Sequence, residues 1–235
     1  MAKKQLDQYM VNEHVLEVRY DSSVSFLTGD GQVADYIRSV NLFPHWKIDA
    51  NIVNFFDTPL EVKQLGAFIA FNRAGYIVKN PDTQNFFQEK AIAFWAKFLE
   101  NNVFPLPEVD RFGTRTKIFL SSDKPFEEVN QAVYEKFITA DARKTLGGAE
   151  SDLTYLIKLE DGGFTLNVLI GPLHKGEAEK FLSFKSERFS STGLILDIDC
   201  YIQDRLSPKD IPRLLRDAMT LTWDKANKIA KFVGL

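Results

Sequence analysis

The chain has 235 residues, 45% of them apolar and 26% charged, which excludes a disordered or fibrous polypeptide and is ample for a real core. A net charge of −3 lacks the basic excess of a general nucleic-acid binder, and a single cysteine, Cys200, excludes an internal disulfide. Twenty phenylalanines, which fill volume without a polar handle, predict an aromatic-rich core or interface.

The opening Met1-Ala2-Lys3-Lys4 has neither the apolar stretch nor the small-residue cleavage site of a signal peptide, and no run approaches the ~18 apolar residues of a membrane span. The expectation is a cytoplasmic protein. Alternation of Val15, Glu17 and Arg19 with Leu16, Val18 and Tyr20 predicts a strand over 14–20. Gly29-Asp30-Gly31 reads as a turn, followed by a short helix marked by Ala34, Ile37 and Val40. One strand is expected over 46–56, then a hairpin of 66–71 and 76–78 turning at Asn72-Arg73-Ala74-Gly75. Pro81-Asp82-Thr83 opens a long helix to about residue 99, with Phe87, Ala91, Phe94, Trp95 and Phe98 on its apolar face.

Pro105 and Pro107 forbid continued helix and mark a connector at 101–109. Beyond it, 112–120 reads as a strand. A helix capped by Asp123 carries Phe126, Val129, Val133 and Phe137 on one face. The segments 152–159 and 164–170 flank Asp161-Gly162-Gly163, a hairpin turn. An insert at 171–192 holds a short helix over 177–184, and 194–202 is a strand. Ser207-Pro208-Lys209-Asp210 starts a final helix that Gly234 stops. The expected fold class is α+β: a tandem pseudo-twofold repeat of a β-α-β-β-β-α unit, its mainly antiparallel sheets packed by long helices. The first copy spans 1–104 and the second 110–235, forming a single compact unit with a groove between the copies.

Side-chain alternation marks two strands for chemistry. Arg111, Arg115 and Lys117 share one side of their strand, where guanidinium forks can take an anion or phosphate, or instead form a cross-strand ion-pair ladder with Asp197 and Asp199. Asp197, Asp199 and Tyr201 share the face opposite Leu194, Leu196, Ile198 and Cys200. This pair of carboxylates suits a magnesium ion or a hydroxylated ligand, or is simply a solvated strand face. These six residues are the candidate ligand-binding set. The basic run Arg205, Lys209, Arg213, Arg216 is interleaved with Asp210, Asp217 and Asp224, the pattern of a solvated helix face. His14, His45 and His174 are scattered, with no zinc spacing, and neither a P-loop nor a nucleophile elbow occurs. The residues call for no catalytic group, metal or cofactor.

Arg111-Phe112-Gly113-Thr114-Arg115 resembles the Arg-apolar-Gly-x-Arg strand of a sporadically distributed bacterial family of uncharacterised proteins of about this length. Leu16-Glu17-Val18-Arg19, Leu196-Asp197-Ile198-Asp199 and the closing helix around Trp223, Ala226, Asn227 and Phe232 are similar to that family as well, with Asp224 or a neighbour in place of its usual histidine. The resemblance implies a bacterial or phage-related context and carries over no activity. The functional expectation is a non-enzymatic protein-interaction or regulatory accessory protein, with a defence or toxin-related system as one setting. Its partner is a protein, a second copy of the chain included. The alternatives are a small-molecule sensor with its ligand in the inter-repeat groove and, behind it, metal-dependent phosphoryl transfer through Asp197 and Asp199.

Overall fold

The computed structural model describes residues 10–58, 64–103, 105–148 and 152–234. The opening residues read for a leader, and the end of the expected first copy at Phe104, lie outside them. In chain order the elements are β1 (Met10–Tyr20), α1 (Val24–Ser39), β2 (His45–Asp49), β3 (Ile52–Phe56), β4 (Leu65–Ala70), β5 (Arg73–Lys79) and α2 (Phe86–Leu99). There follow β6 (Val109–Ser122), α3 (Phe126–Phe137), α4 (Ala140–Leu146), β7 (Tyr155–Asp161), β8 (Phe164–His174), α5 (Lys175–Phe181), β9 (Thr192–Ile202) and α6 (Ile211–Val233), the last preceded by a 3-10 turn at Pro208–Asp210. The fold is α+β, with nine strands hydrogen-bonded in the order β2-β3-β4-β5-β1-β6-β9-β8-β7. The β2–β3, β3–β4, β4–β5 and β7–β8 pairs are antiparallel. No helix among the described residues is long and apolar enough to cross a membrane.

The expected repeat of six elements does not appear in the element order. The first half runs β-α-β-β-β-β-α, and the second β-α-α-β-β-α-β-α. Two local features make the difference. The expected strand over 46–56 is a hairpin, because Ala50 takes a positive φ of 51° between Asp49 and Asn51. In the second half, Thr139 accepts a hydrogen bond from the Ala142 amide and starts the unexpected helix α4. What the halves do share is a neighbour relation: β1 lies beside β5, and β6 beside β9, so each opening strand adjoins the last strand of its own half.

The chain forms two compact units, and β1, β6, β9 and α6 contribute residues to both. One comprises 14–115 and 200–220. Its core lies between α2 and one face of β3, β4 and β5. The register places Phe55, Ala67 and Tyr76 in one row and Val53, Ile69 and Ala74 in the next, all buried. The expected helix face of Phe87, Ala91, Phe94, Trp95 and Phe98 is buried as read, and Phe94 packs on Tyr76 with ring centroids 5.6 Å apart. Burial pushes the Tyr20 and Tyr76 hydroxyls well above the usual phenol range, and Tyr20 donates to the Ala70 carbonyl at 2.7 Å.

The Gly29-Asp30-Gly31 turn is a second correction. These residues lie within α1, which is already helical from Val24, with Ser23 as its N-cap. Gly29 is buried there, and a Cβ would sit 2.9 Å from Val103, so close packing offsets its helix cost of about 1 kcal/mol.

The other unit comprises the described residues of 1–13, 116–199 and 221–235. Its β7–β8 hairpin turns at Gly162 and Gly163, with φ of 58° and 81°, the left-handed pair that the sequence predicts. A small core of Val11, Phe119, Ala178, Leu182, Phe189 and Ile195 forms beneath α5 and the segment after it. Ile195 and Asp197 are both buried, and the β9 face is not the fully solvated one the alternation allows.

Candidate functional site

The side chains with most chemical capacity lie in the unit of residues 14–115 and 200–220, on the β1 face opposite Leu16 and Val18. Alternation along β1 sends Leu16, Val18 and Tyr20 into the core and leaves Glu17 and Arg19 outward. The β4–β5 register places Arg73 opposite Ala70, and Phe68 opposite Gly75. Arg73 was expected in a turn. The turn is instead the two residues Phe71 and Asn72, and Arg73 opens β5. Gly75 is needed within the strand rather than at the turn: a Cβ there would meet the Phe68 ring at 2.4 Å and the Leu16 carbonyl at 2.5 Å.

Around Glu17 the groups form a layer. The Arg19 Nε donates to Glu17 Oε1 at 2.7 Å. Arg73 Nη1 lies 3.8 Å from Oε2, and Arg111 Nη1 lies 3.6 Å from Oε1. Each of the last two arginines also covers an aromatic ring: the Arg73 guanidinium carbon is 5.8 Å from the Phe68 centroid, and that of Arg111 is 4.9 Å from the Tyr201 centroid. The sequence aromatic–arginine–glutamate–arginine–aromatic thus runs Phe68, Arg73, Glu17, Arg111, Tyr201. Gly113 explains how Arg111 lies flat. A Cβ at that position would sit 3.2 Å from Arg111 Nη1, so the missing side chain leaves room for the guanidinium.

Of the six residues predicted from sequence, the structure brings Arg111 and Tyr201 together. Arg115 is exposed on β6 and has interactions of its own. Lys117 is held beneath α5: its ammonium donates to Glu13 Oε1 and to the Phe181 carbonyl, both at 3.0 Å, and lies 5.1 Å from the Phe181 ring centroid. Asp197 is buried, Asp199 accepts from Asn167 Nδ2 at 3.4 Å, and neither aspartate is unpartnered. Among the described residues no three His, Cys, Asp or Glu side chains gather where they could hold a metal ion, so the aspartate pair has no third ligand of that kind.

The residues of this cluster outside the six candidates are Glu17, Arg19, Arg73 and Phe68. The first two were legible as an outward pair two apart on β1. Arg73 was not, because its role depends on a turn that closes before the glycine rather than at it.

Charged groups of the closing helix and the remaining histidine and cysteine candidates lie apart from this cluster in their contacts. Arg213 pairs with Asp217 at 3.4 Å, and Lys228 with Asp224 at 2.6 Å, each one helical turn apart. His174 stacks on Phe126 at 4.4 Å, and the Cys200 thiol is buried. His14 is fully buried against the Phe87 ring, and desolvation pushes its pKa down to about 3. No family model matches the chain, and no curated protein matches it.

Proposed function

We propose that the chain is a non-enzymatic protein-interaction or regulatory accessory protein, and that the layer of Phe68, Arg73, Glu17, Arg111 and Tyr201 is where it holds its partner. The supporting observation is the layer itself: two arginines lying over aromatic rings and sharing one carboxylate, on a partly buried strand face. Arginine and tyrosine are the side chains that most often dominate protein interfaces, because each combines a flat apolar body with directional donors. Stability is a poor explanation for the Arg73 contact, since an ion pair with a half-exposed arginine contributes only about 0–1 kcal/mol. The likeness of the Arg111–Arg115 strand to a bacterial family agrees with a bacterial or phage-related accessory role.

Affinity capture from the native host, run in parallel with wild type, R111A and Y201A, tests this reading. The expected result is a partner recovered by wild type, depleted with both variants, and bound again when the two purified proteins are mixed. A chain that is monomeric by light scattering and recovers nothing would sink the reading. A thermal-shift response to a small metabolite, with no protein partner found, would favour the sensor alternative.

A further inference from the structure

We propose that this surface takes a carboxylate from an acidic segment of the partner between Arg19 and Arg73, and that Glu17 is the internal anion holding the two guanidinium groups ready for it. The inference rests on the protein-binding reading above and specifies its chemistry. Arg19 and Arg73 approach opposite oxygens of one carboxylate, and each is about half exposed. Glu17 uses little of their capacity. A guanidinium carries five N–H donors. Arg19 spends one on Glu17 at 2.7 Å, while Arg73, at 3.8 Å, is beyond hydrogen-bond distance. Neither has another ion partner among the described residues. Both side chains are about half exposed and keep further donors for a carboxylate, which a guanidinium fork reads in the bidentate fashion that lysine lacks. Glu17, Arg19 and Arg73 together carry one positive charge in a chain of net charge −3, so the patch differs in sign from the molecule around it and complements an acidic segment.

Glu17 has two opposed roles in this arrangement. It keeps the guanidinium groups from splaying apart, and it competes with the incoming carboxylate. Removing its charge while keeping its shape therefore strengthens binding, whereas removing the arginines weakens it.

The probe is a fluorescein-labelled octaglutamate peptide, followed by anisotropy with the full chain at low and at physiological salt. Wild type binds, and binding weakens with salt as exposed ion pairs are screened. E17Q binds more tightly than wild type. R19A/R73A loses about tenfold or more, the scale of one charge-assisted pair. R19K/R73K, which keeps the charge and discards the fork, falls between the two. Equal binding by wild type and R19A/R73A, with unchanged melting temperatures, overturns the inference, as does weaker binding by E17Q. A host partner recovered equally by wild type and R19A/R73A removes the carboxylate site and the part of Arg73 in the layer, and leaves the interaction reading resting on Arg111 and Tyr201. Arginine-dependent peptide binding with no host partner does the reverse.

Discussion

Two glutamates four residues apart on β1 meet opposite fates. Glu13 and Lys117 are closed over by α5, with side chains only 8% and 16% exposed, and the lysine has a second acceptor in the Phe181 carbonyl. Glu17 is 22% exposed, and its partners Arg19 and Arg73 are 50% and 47% exposed. The residue type and the strand are the same, yet burial divides the roles. In the first cluster the charges are largely withdrawn from water and are satisfied within the protein. In the second, water screens the attraction and the donors remain available to a partner.

The contrast is broken most directly at Lys117. K117M takes away the cation that Glu13 holds beneath α5, and the expected loss is about 3 kcal/mol in urea unfolding, as for one partner of a buried pair. A loss below about 1 kcal/mol would place this cluster with the exposed one. G75A comes next: the added methyl group meets the Leu16 carbonyl, a backbone atom that cannot swing aside. Denaturant melts should show a loss of about 2–3 kcal/mol.

His14 extends the comparison to the inward side of β1. Its folded-state pKa of about 3 lies below the unfolded value of 6.5, so the unfolded chain takes up the proton first as the pH falls. Stability is complete above pH 6.5 and is lost below it, by about 1.4 kcal/mol per pH unit, until about pH 3. Stability measured from about pH 7 to about pH 4 in wild type and H14F should show this slope in wild type and a shallower one in the variant.

The smallest stability effects belong to the outer cluster. R19A/R73A should shift stability by less than about 1 kcal/mol while weakening binding of the acidic peptide about tenfold or more. G113A, whose methyl group meets only the movable end of Arg111, should cost under about 1 kcal/mol and weaken partner capture by tilting the guanidinium off Tyr201.

Much of the architecture was legible one residue at a time. The buried face of α2 matches its 3.6-residue spacing at every position, and Gly162-Gly163 makes the expected hairpin turn. Ser207 accepts from the Lys209 amide and starts a 3-10 turn that leads into the closing helix at Ile211, and that helix ends at Gly234, with φ of 87°. These are local matters of periodicity, capping and φ, which neighbouring residues decide. The site was half legible: Arg111 and Tyr201 stood out by alternation, and Glu17 as an outward residue of β1, but the approach of Arg73 to Glu17 did not.

Sequence alone determined the α+β class and the apolar faces of β1 and α2, because those follow from backbone periodicity. Only the tertiary structure decided that Glu17 sits between Arg73 and Arg111, that Gly75 and Gly113 make room for a ring and a guanidinium, and that Lys117 is sealed beneath α5. Those outcomes depend on strand register and on which helix covers which face. Both are set by packing between segments far apart in the chain, where local propensity has no reach.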